Sequence, residues 1–388
     1  METADRRSVD GMSPVVSRQD VLRFRFRRHE LHRPPGSITD PSEVAILDYG
    51  VQDTGHDGAA WALAVRGAEL DQLPDDLPLA WTLRGAPHAY RRADLAAVAV
   101  ATAPYDEVDA AKRIFDASKP LKEAGIGILD ALTEVADHLR DIVTEPMSKG
   151  DVSARLTDLV DEPFLRFCRP CQATHVYEQP FRLAALQAGL ELESGTAPPV
   201  MRRIPKVRPT RFLRLADGAD PRLDVIRNQL RFYGPATTSD TATFLDAPVK
   251  VVQAHWPTDA VEVSIDRPDD DSTIGYVLAG DLDELTGGGG AEPAVRLLGP
   301  YDPYLQLRDR ELLVADEARR KDLWRVLGRP GAIVSDGEVV GTWRPKSAGR
   351  KLTVRIELWA RDTKRLRSAI GDEAERLAAH RQVTLAAV

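Results

Sequence analysis

Three polar side chains in a row, Gln52, Asp53 and Thr54, stand at the head of the segment V-Q-D-T-G-H-D-G-A-A-W-A-L that runs from Val51 to Leu63. Gln52 and Thr54 are two apart, so on an extended backbone they project to one side and Asp53 to the other. Gly55 and Gly58 bracket a turn, Asp57 stands where an N-cap is expected, and Ala59 to Val65 reads as the start of a helix of small and large apolar residues. Two readings of this stretch stay open. A polar pair displayed just before a buried helix suits a site held by a core. The same groups also suit a helix-start turn whose side chains cap the backbone.

A second group of reactive residue types is Cys168-Arg169-Pro170-Cys171 with His175, a C-x2-C-x3-H spacing. Structural zinc takes four ligands and the chain has two cysteines in all, with Glu178 the nearest further donor. The expectation is a strand with buried thiols and no metal. The chain contains no G-x-x-x-x-G-K-S/T, H-E-x-x-H or G-x-S-x-G, so neither a nucleotide cofactor nor a hydrolase nucleophile is expected. Gly287 to Gly290 lacks a surrounding strand-to-helix transition and reads as a linker.

The net charge of −8 over 388 residues argues against a uniformly basic nucleic-acid coat. It leaves room for local basic tracks, of which there are three. Leu22 to Arg33 carries Arg23, Arg25, Arg27, Arg28 and Arg33. Met201 to Arg214 carries Arg202, Arg203, Lys206, Arg208, Arg211 and Arg214. Thr342 to Arg355 carries Arg344, Lys346, Arg350, Lys351 and Arg355. Each alone reads as a solvated face; three together in an acidic chain favour a polyanion. No apolar run is long enough to span a bilayer, the N-terminus has no apolar signal core, and two cysteines fit a reducing compartment, so a cytoplasmic protein away from membranes is expected.

The elements that must position these residues repeat. Ser17 to His29, Ser42 to Leu47 after the cap Thr39-Asp40-Pro41, and Ala59 to Gly67 read as helices. Trp81 to Arg84 and His88 to Tyr90 follow as two short strands joined by Gly85-Ala86-Pro87. Three helices and a two-strand ribbon are the order of a winged helix-turn-helix. A looser second copy has helices at Ala124 to Val143, Ser148 to Val160 and Phe181 to Leu192, with a strand-like Phe164 to Tyr177. The third copy is the clearest. A helix from Asp220-Pro221 to Tyr233 ends at Gly234-Pro235, and Thr237 to Asp240 caps a short helix through Leu245. Val249 to Trp256 then forms a helix poor in positive charge, followed by a hairpin, Val261 to Ile265 and Tyr276 to Leu278, around the acidic tip Asp269 to Asp271. Asp283 to Ala291 reads as a linker. Ala332 to Ser335, Val339 to Arg344 and Leu352 to Trp359 read as successive strands with a hairpin turn at Asp336-Gly337, and Thr363 to His380 as a closing helix. The expected organisation is a disordered segment 1–16, winged helices over 17–105, 106–215 and 216–284, and a β-rich domain over 291–388.

These motifs resemble one family, the winged-helix DNA glycosylases of the AlkZ type. The Val51–Leu63 segment is similar to its V-Q-x-Q-x-x-x-G-A-x-W-A-L motif, and Leu83-Arg84-Gly85-Ala86-Pro87-His88 to its R-G-T-x-H motif. Leu298-Gly299-Pro300-Tyr301-Asp302 and Val340-Gly341-Thr342-Trp343-Arg344 resemble its C-terminal signatures. The resemblance runs over roughly residues 18 to 380. It implies an α+β fold of tandem winged helix-turn-helix domains with a C-terminal β-barrel-like domain. It implies hydrolysis of the N-glycosidic bond of alkylated or bulky-adducted purines, interstrand crosslinks included. Gln52 then matches the first catalytic position, and Thr54 stands where the family has a second Gln or an Asp. Asp53 is a nearby carboxylate turned aside by strand alternation. Arg84, His88, Arg344, Lys346, Arg350 and Lys351 are the expected DNA contacts, with His88 alternatively a structural histidine of the wing. The implied partner is double-stranded DNA, bound by a monomer in the nucleoid without metal or cofactor. A winged-helix DNA binder without catalysis is the alternative that Thr54 raises, and a protein-interaction scaffold the one that the negative charge raises.

Overall fold

Each helix start is written locally in the sequence. In the computed structural model, which describes residues 13–207, 209–212, 215–266, 272–287 and 294–388, Ser17 caps the helix Arg18–Arg28 through a reciprocal capping box with Asp20. Thr237 and Asp240 form the same box at the start of Thr238–Leu245. Asp224 caps Val225–Tyr233 by accepting from the N–H groups of Ile226 and Arg227. The third repeat follows as expected: Val225–Tyr233, Thr238–Leu245 and Val249–Ala254, then the antiparallel hairpin of Ala260–Asp266 and Thr273–Leu278. The acidic tip of that hairpin and the glycines from 288 to 290 lie outside the described residues.

The expected wing of the first repeat becomes part of a larger sheet. Leu79–Trp81 and Pro87–Ala89 belong to a six-stranded sheet in the order Val51–Gln52, Pro87–Ala89, Leu79–Trp81, Leu190–Leu192, Val200–Arg203, Met147–Ser148. Strands from the first and second repeats thus share one sheet. The expected helix Ser42 to Leu47 is two 3-10 turns, Pro41–Glu43 and Ala45–Asp48. Part of the expected N-terminal tail is ordered: Val15–Ser17 lies parallel to Ala260–Asp266 at the edge of the third repeat's hairpin. Part of the expected linker, Leu282–Thr286, is a helix.

The C-terminal region is a curled half-barrel sheet in the order Val295–Leu298, Gly331–Ser335, Glu338–Ala348, Lys351–Leu358, Thr384–Ala387, with Lys364–His380 packed on its first strand. Asp336 and Gly337 both have positive φ, 51° and 87°, as a two-residue hairpin turn of the primed type requires. Gly337 is doubly constrained, since a Cβ there would stand 2.5 Å from the Leu22 carbonyl oxygen. The architecture is the α+β arrangement of tandem winged helices and a β-barrel-like domain that the motifs implied.

One apolar core runs through these parts, from Leu22 through Trp61 and Trp343 to Ala378. The half-barrel is fastened to the Gly58–Ala64 helix by polar bonds inside that core. The Trp61 indole N–H donates to the Leu297 carbonyl at 2.7 Å. Arg66, just past the helix, makes a two-pronged bond to Asp302, 2.8 Å on each arm, and donates to the Ala62 carbonyl. Both side chains of the pair have zero exposure. Removing one partner of such a pair strands a buried charge. Arg66→Met should therefore lower the unfolding free energy by about 3–5 kcal/mol. Arg66→Met/Asp302→Leu should recover most of that, short of about 1 kcal/mol for the missing Asp302 bond to the Tyr304 N–H. Urea unfolding of the two variants checks this; equal losses in both would show that the charge balance is not what holds the interface.

Candidate active site and nucleic-acid interface

The Val51–Gln52 strand is held on one side only. It pairs antiparallel with Pro87–Ala89, Gln52 opposite His88 and Val51 opposite Ala89, and the Asp53 N–H donates to the Pro87 carbonyl at 2.8 Å. Val51 is buried, while Gln52, Asp53 and Thr54 are half-buried. Gln52 Nε2 donates to Thr54 Oγ1 at 2.9 Å. Both residues line a cleft of about 340 Å³ with Trp61, Tyr301, Arg329 and Arg344. Asp53 lines a different cavity, together with Leu79, Glu193 and His380. The alternation read from the sequence thus separates the polar pair from the carboxylate.

Both readings of the opening segment are realised, by different residues. Asp53 Oδ1 accepts from the Ala59 N–H at 2.9 Å and caps the Gly58–Ala64 helix. Asp57 holds the N-cap position without a side-chain bond to the helix. Its carboxylate is drawn instead to Arg381, whose Nε donates to it at 2.7 Å. That pairing keeps Asp57 below the usual carboxylate range despite burial, whereas burial raises Asp53. Gly58, at φ +42°, is what lets Asp53 reach back: a Cβ there would lie 1.9 Å from Asp53 Oδ1.

Arg84 and His88 lie in the frame behind this strand and not on its open surface. His88 is 4% exposed, and its Nδ1 bonds the Ala86 carbonyl at 2.9 Å and meets Thr82 Oγ1 at 3.1 Å. Burial, followed by the Arg84 charge, pushes its pKa down to about 3. Arg84 adopts a left-handed backbone (φ 58°), lays its guanidinium 4.6 Å over the Phe244 ring and donates to Gln306 Oε1 at 3.1 Å. Gln306 in turn donates to the Tyr301 carbonyl, so Arg84 braces the loop that walls the cleft. As folded, neither side chain is placed for the phosphate contact that the motif resemblance implied.

The basic stretches separate in the same way. The first is neutralised across the fold: Arg25 pairs with Asp309, Arg27 with Glu284, Arg28 with Asp281 and Glu284, and Arg33 with Glu30. In the second, Arg202 pairs with Glu191 and Arg203 donates to the Arg140 and Val143 carbonyls; Arg208 and Arg214 lie outside the described residues. The third stands free. Glu338–Ala348 and Lys351–Leu358 form a hairpin whose end, from Pro345 to Lys351, is exposed on every residue. Lys346, Arg350 and Lys351 have no acidic partner among the described residues. Arg344, at the root, donates to the Gly328 carbonyl and to Asp322 and lines the Gln52 cleft.

Three further arginines were invisible as a basic run. Arg329 lines the cleft and Arg308 and Arg310 line another pocket, close enough that Arg310 is pushed down to about 10 by burial and then by the charges of Arg308, Arg329 and Arg84. Arg329 lies 4.8 Å over the Tyr301 ring at the cleft wall. In the sequence Arg308 and Arg310 alternate with Asp309 and Glu311, which hides them. The fold sends Asp309 away to Arg25. The C-x2-C-x3-H residues also depart from expectation, for Cys168 is half-buried and Cys171 exposed at the turn of an isolated hairpin. The poorly charged helix Val249–Ala254 turns only Val251 and Val252 inward and leaves Val249, Lys250, Gln253 and Ala254 exposed, while His255 at its end lies 4.0 Å from the Tyr105 ring and meets Asp217 at 3.1 Å.

Tandem winged helices and a half-barrel with a projecting basic hairpin, with a polar pair in the cleft between them, define a winged-helix protein of α+β fold. A model of the AlkZ-like DNA glycosylases matches residues 49–380, and the chain belongs to that family. It is similar in structure to the Streptomyces sahachiroi DNA glycosylase AlkZ, with TM-score 0.66 over 96% of this chain and 99% of that one, at 19% identity. No curated protein matches the sequence.

The burial of His88 has a consequence for pH. Its pKa is near 3 folded and near 6.5 unfolded, so between those values only the unfolded chain takes up the proton. Its contribution is therefore full above about pH 6.5 and fades as pH falls towards 3, up to about 5 kcal/mol. His88→Asn, which keeps a donor for the Ala86 carbonyl, should flatten the acid limb of stability against pH, measured by urea unfolding from pH 7 to 4. An unchanged slope would mean that the imidazole is not buried as a neutral ring.

Proposed function

We propose that the chain is a monofunctional DNA glycosylase that hydrolyses the N-glycosidic bond of alkylated or bulky-adducted purines in double-stranded DNA. The observation that carries this reading is the Gln52–Thr54 pair in a cleft rooted under the basic hairpin. With Gln52 Nε2 bonded to Thr54, the free acceptors are Gln52 Oε1 and the remaining lone pair of Thr54 Oγ1. Two such acceptors can hold a water by its protons and leave its lone pair directed outward at C1′. Neither is a strong base, and none is needed. Alkylation at N3 or N7 makes a purine cationic and a good leaving group, so catalysis is positioning of water and stabilisation of an oxocarbenium-like transition state. Asp53 acts as the cap that sets the strand and helix in place.

DNA would be gripped by Lys346, Arg350 and Lys351, with the field of Arg308, Arg310 and Arg329 drawing the backbone to the cleft. The reading makes the enzyme a monomer that works in the nucleoid without cofactor. Thr54 in place of a second carboxamide supports one other reading, a DNA binder of this fold without catalysis.

Base release from DNA treated with a methylating agent, and separately with a crosslinking natural product, tests the proposal. Gln52→Ala should slow release by about 100-fold or more. Thr54→Val should slow it less, and Thr54→Gln should retain it. Asp53→Asn keeps the acceptor for the Ala59 N–H and should leave the rate within about threefold, whereas a general base would show a far larger drop. No release from wild type with salt-sensitive DNA binding intact would select the non-catalytic reading. Replacing Lys346, Arg350 and Lys351 together with Ala should weaken binding to all sequences alike and shrink the log–log salt slope by about 1 for each phosphate no longer neutralised.

A further inference from the structure

The hairpin of Leu165–Cys168 and Ala173–Val176 is a two-stranded sheet of its own, paired Leu165 to Val176, Arg166 to His175, Phe167 to Thr174 and Cys168 to Ala173. This register puts Cys168 and His175 on one face, diagonally adjacent across the strands. Cys171 sits in the four-residue turn between them. The turn is closed by Gln172, which takes a left-handed φ of 53° and donates from its side chain to the Arg169 carbonyl at 2.6 Å. The outcome is that one donor atom from each of Cys168, Cys171 and His175 lies within 4.8 Å of the others. Among the described residues this is the one group of three or more such side chains gathered this closely.

One detail goes beyond proximity. His175 Nδ1 bonds the Val176 carbonyl at 2.8 Å. That bond fixes the ring's proton on Nδ1 and leaves the Nε2 lone pair for a ligand, the backbone contact that commonly orients a metal-bound imidazole. A tetrahedral zinc ion needs its sulfur and nitrogen ligands about 3.5–3.8 Å apart. An exposed turn can close the remaining roughly one ångström by side-chain rotation.

We propose that Cys168, Cys171 and His175 bind a zinc-class divalent ion at the end of this hairpin, with solvent in the fourth position. Glu178 is not the fourth ligand, because Lys149 and Arg182 already hold its carboxylate. Two thiolates and an imidazole select zinc over magnesium or calcium. The ion ties the turn to the strand and so fixes the segment that carries Phe167, 60% exposed, and Arg169. The inference is independent of the glycosylase reading.

Cobalt titration of the reduced, metal-free full chain tests it. One equivalent of Co²⁺ should give thiolate-to-cobalt charge-transfer absorption and the visible bands of a tetrahedral site, both removed by added Zn²⁺. Cys168→Ser and Cys171→Ser should each abolish the charge transfer. His175→Ala should weaken binding, and His175→Cys should restore it with stronger charge transfer, a rescue that loss of folding would not produce. Amide exchange of residues 165–176 should slow when Zn²⁺ is added. Absence of charge transfer in the reduced wild type, or binding unchanged in Cys168→Ser/Cys171→Ser, would overturn the proposal. So would a Cys168–Cys171 disulfide that persists under mild reduction and leaves no thiolates for the metal.

Discussion

The Arg66–Asp302 pair is the constraint on which the site depends. An arginine and a carboxylate without solvent contact are stable only when each satisfies the other and further hydrogen bonds are made. Here further bonds go to the Ala62 carbonyl on one side and the Tyr304 N–H on the other, with Arg66 Nε left without a hydrogen-bond partner among the described residues. The pair therefore fixes the end of the Gly58–Ala64 helix against the Gly299–Leu305 loop. The cleft lies between these two bodies, with Gln52 and Thr54 on one wall and Tyr301 on the other. Trp61 repeats the device, donating its indole N–H to the Leu297 carbonyl, while Trp343 donates to the Leu298 carbonyl within the half-barrel sheet itself. The Arg66–Asp302 and Trp61–Leu297 bonds cross a dry interface and leave little freedom for the walls to slide, and placement of a water tolerates little sliding.

Charge in this protein is sorted by the fold. A chain with net charge −8 spends many of its acids on internal arginines: Asp48 alone receives Arg91, Arg222 and Arg231. Among the described residues, acids without a cationic partner remain elsewhere on the surface, Asp71, Asp75, Asp76 and Asp137 among them, but the unpaired cations at the hairpin end and the arginines beside the cleft form a local positive patch. Since exposed charges act only over about a Debye length of 8–10 Å, DNA near the hairpin would sense this patch and not the total. Net charge was thus a poor guide to partner, and the position of the unpaired residues a better one.

The sequence was legible where the determinants are local. Thr237 with Asp240, Gly234-Pro235 and Asp336-Gly337 each set a cap or turn from within a few residues, and the third repeat and the C-terminal hairpin follow. The alternation of Gln52, Asp53 and Thr54 was equally local. Other features depend on distant partners. A strand of two residues such as Met147–Ser148 carries no alternation to read. Arg27 and Arg28 looked like part of a basic face because their partners, Glu284 and Asp281, lie more than 250 residues away. Asp57 yields its capping role to Asp53 for the same reason, since Arg381 comes from the far end of the chain.

The orientation of Asp53 bears on the proposed chemistry. A carboxylate among the cleft acceptors would be a stronger base for water than any amide or hydroxyl. The backbone turns it away, and its bond to the Ala59 N–H holds it there. A site with only a carboxamide and a hydroxyl gives an attacking water orientation and little added basicity. Such a site distinguishes substrates by leaving group: a neutral purine, which needs protonation or a strong nucleophile, stays attached, while a purine already cationic from alkylation departs. On the proposed reading, discrimination between damaged and intact bases then needs no pocket shaped to the lesion. It follows from what the site does not supply, and a weak catalytic pair is a safeguard for undamaged DNA held against the same surface.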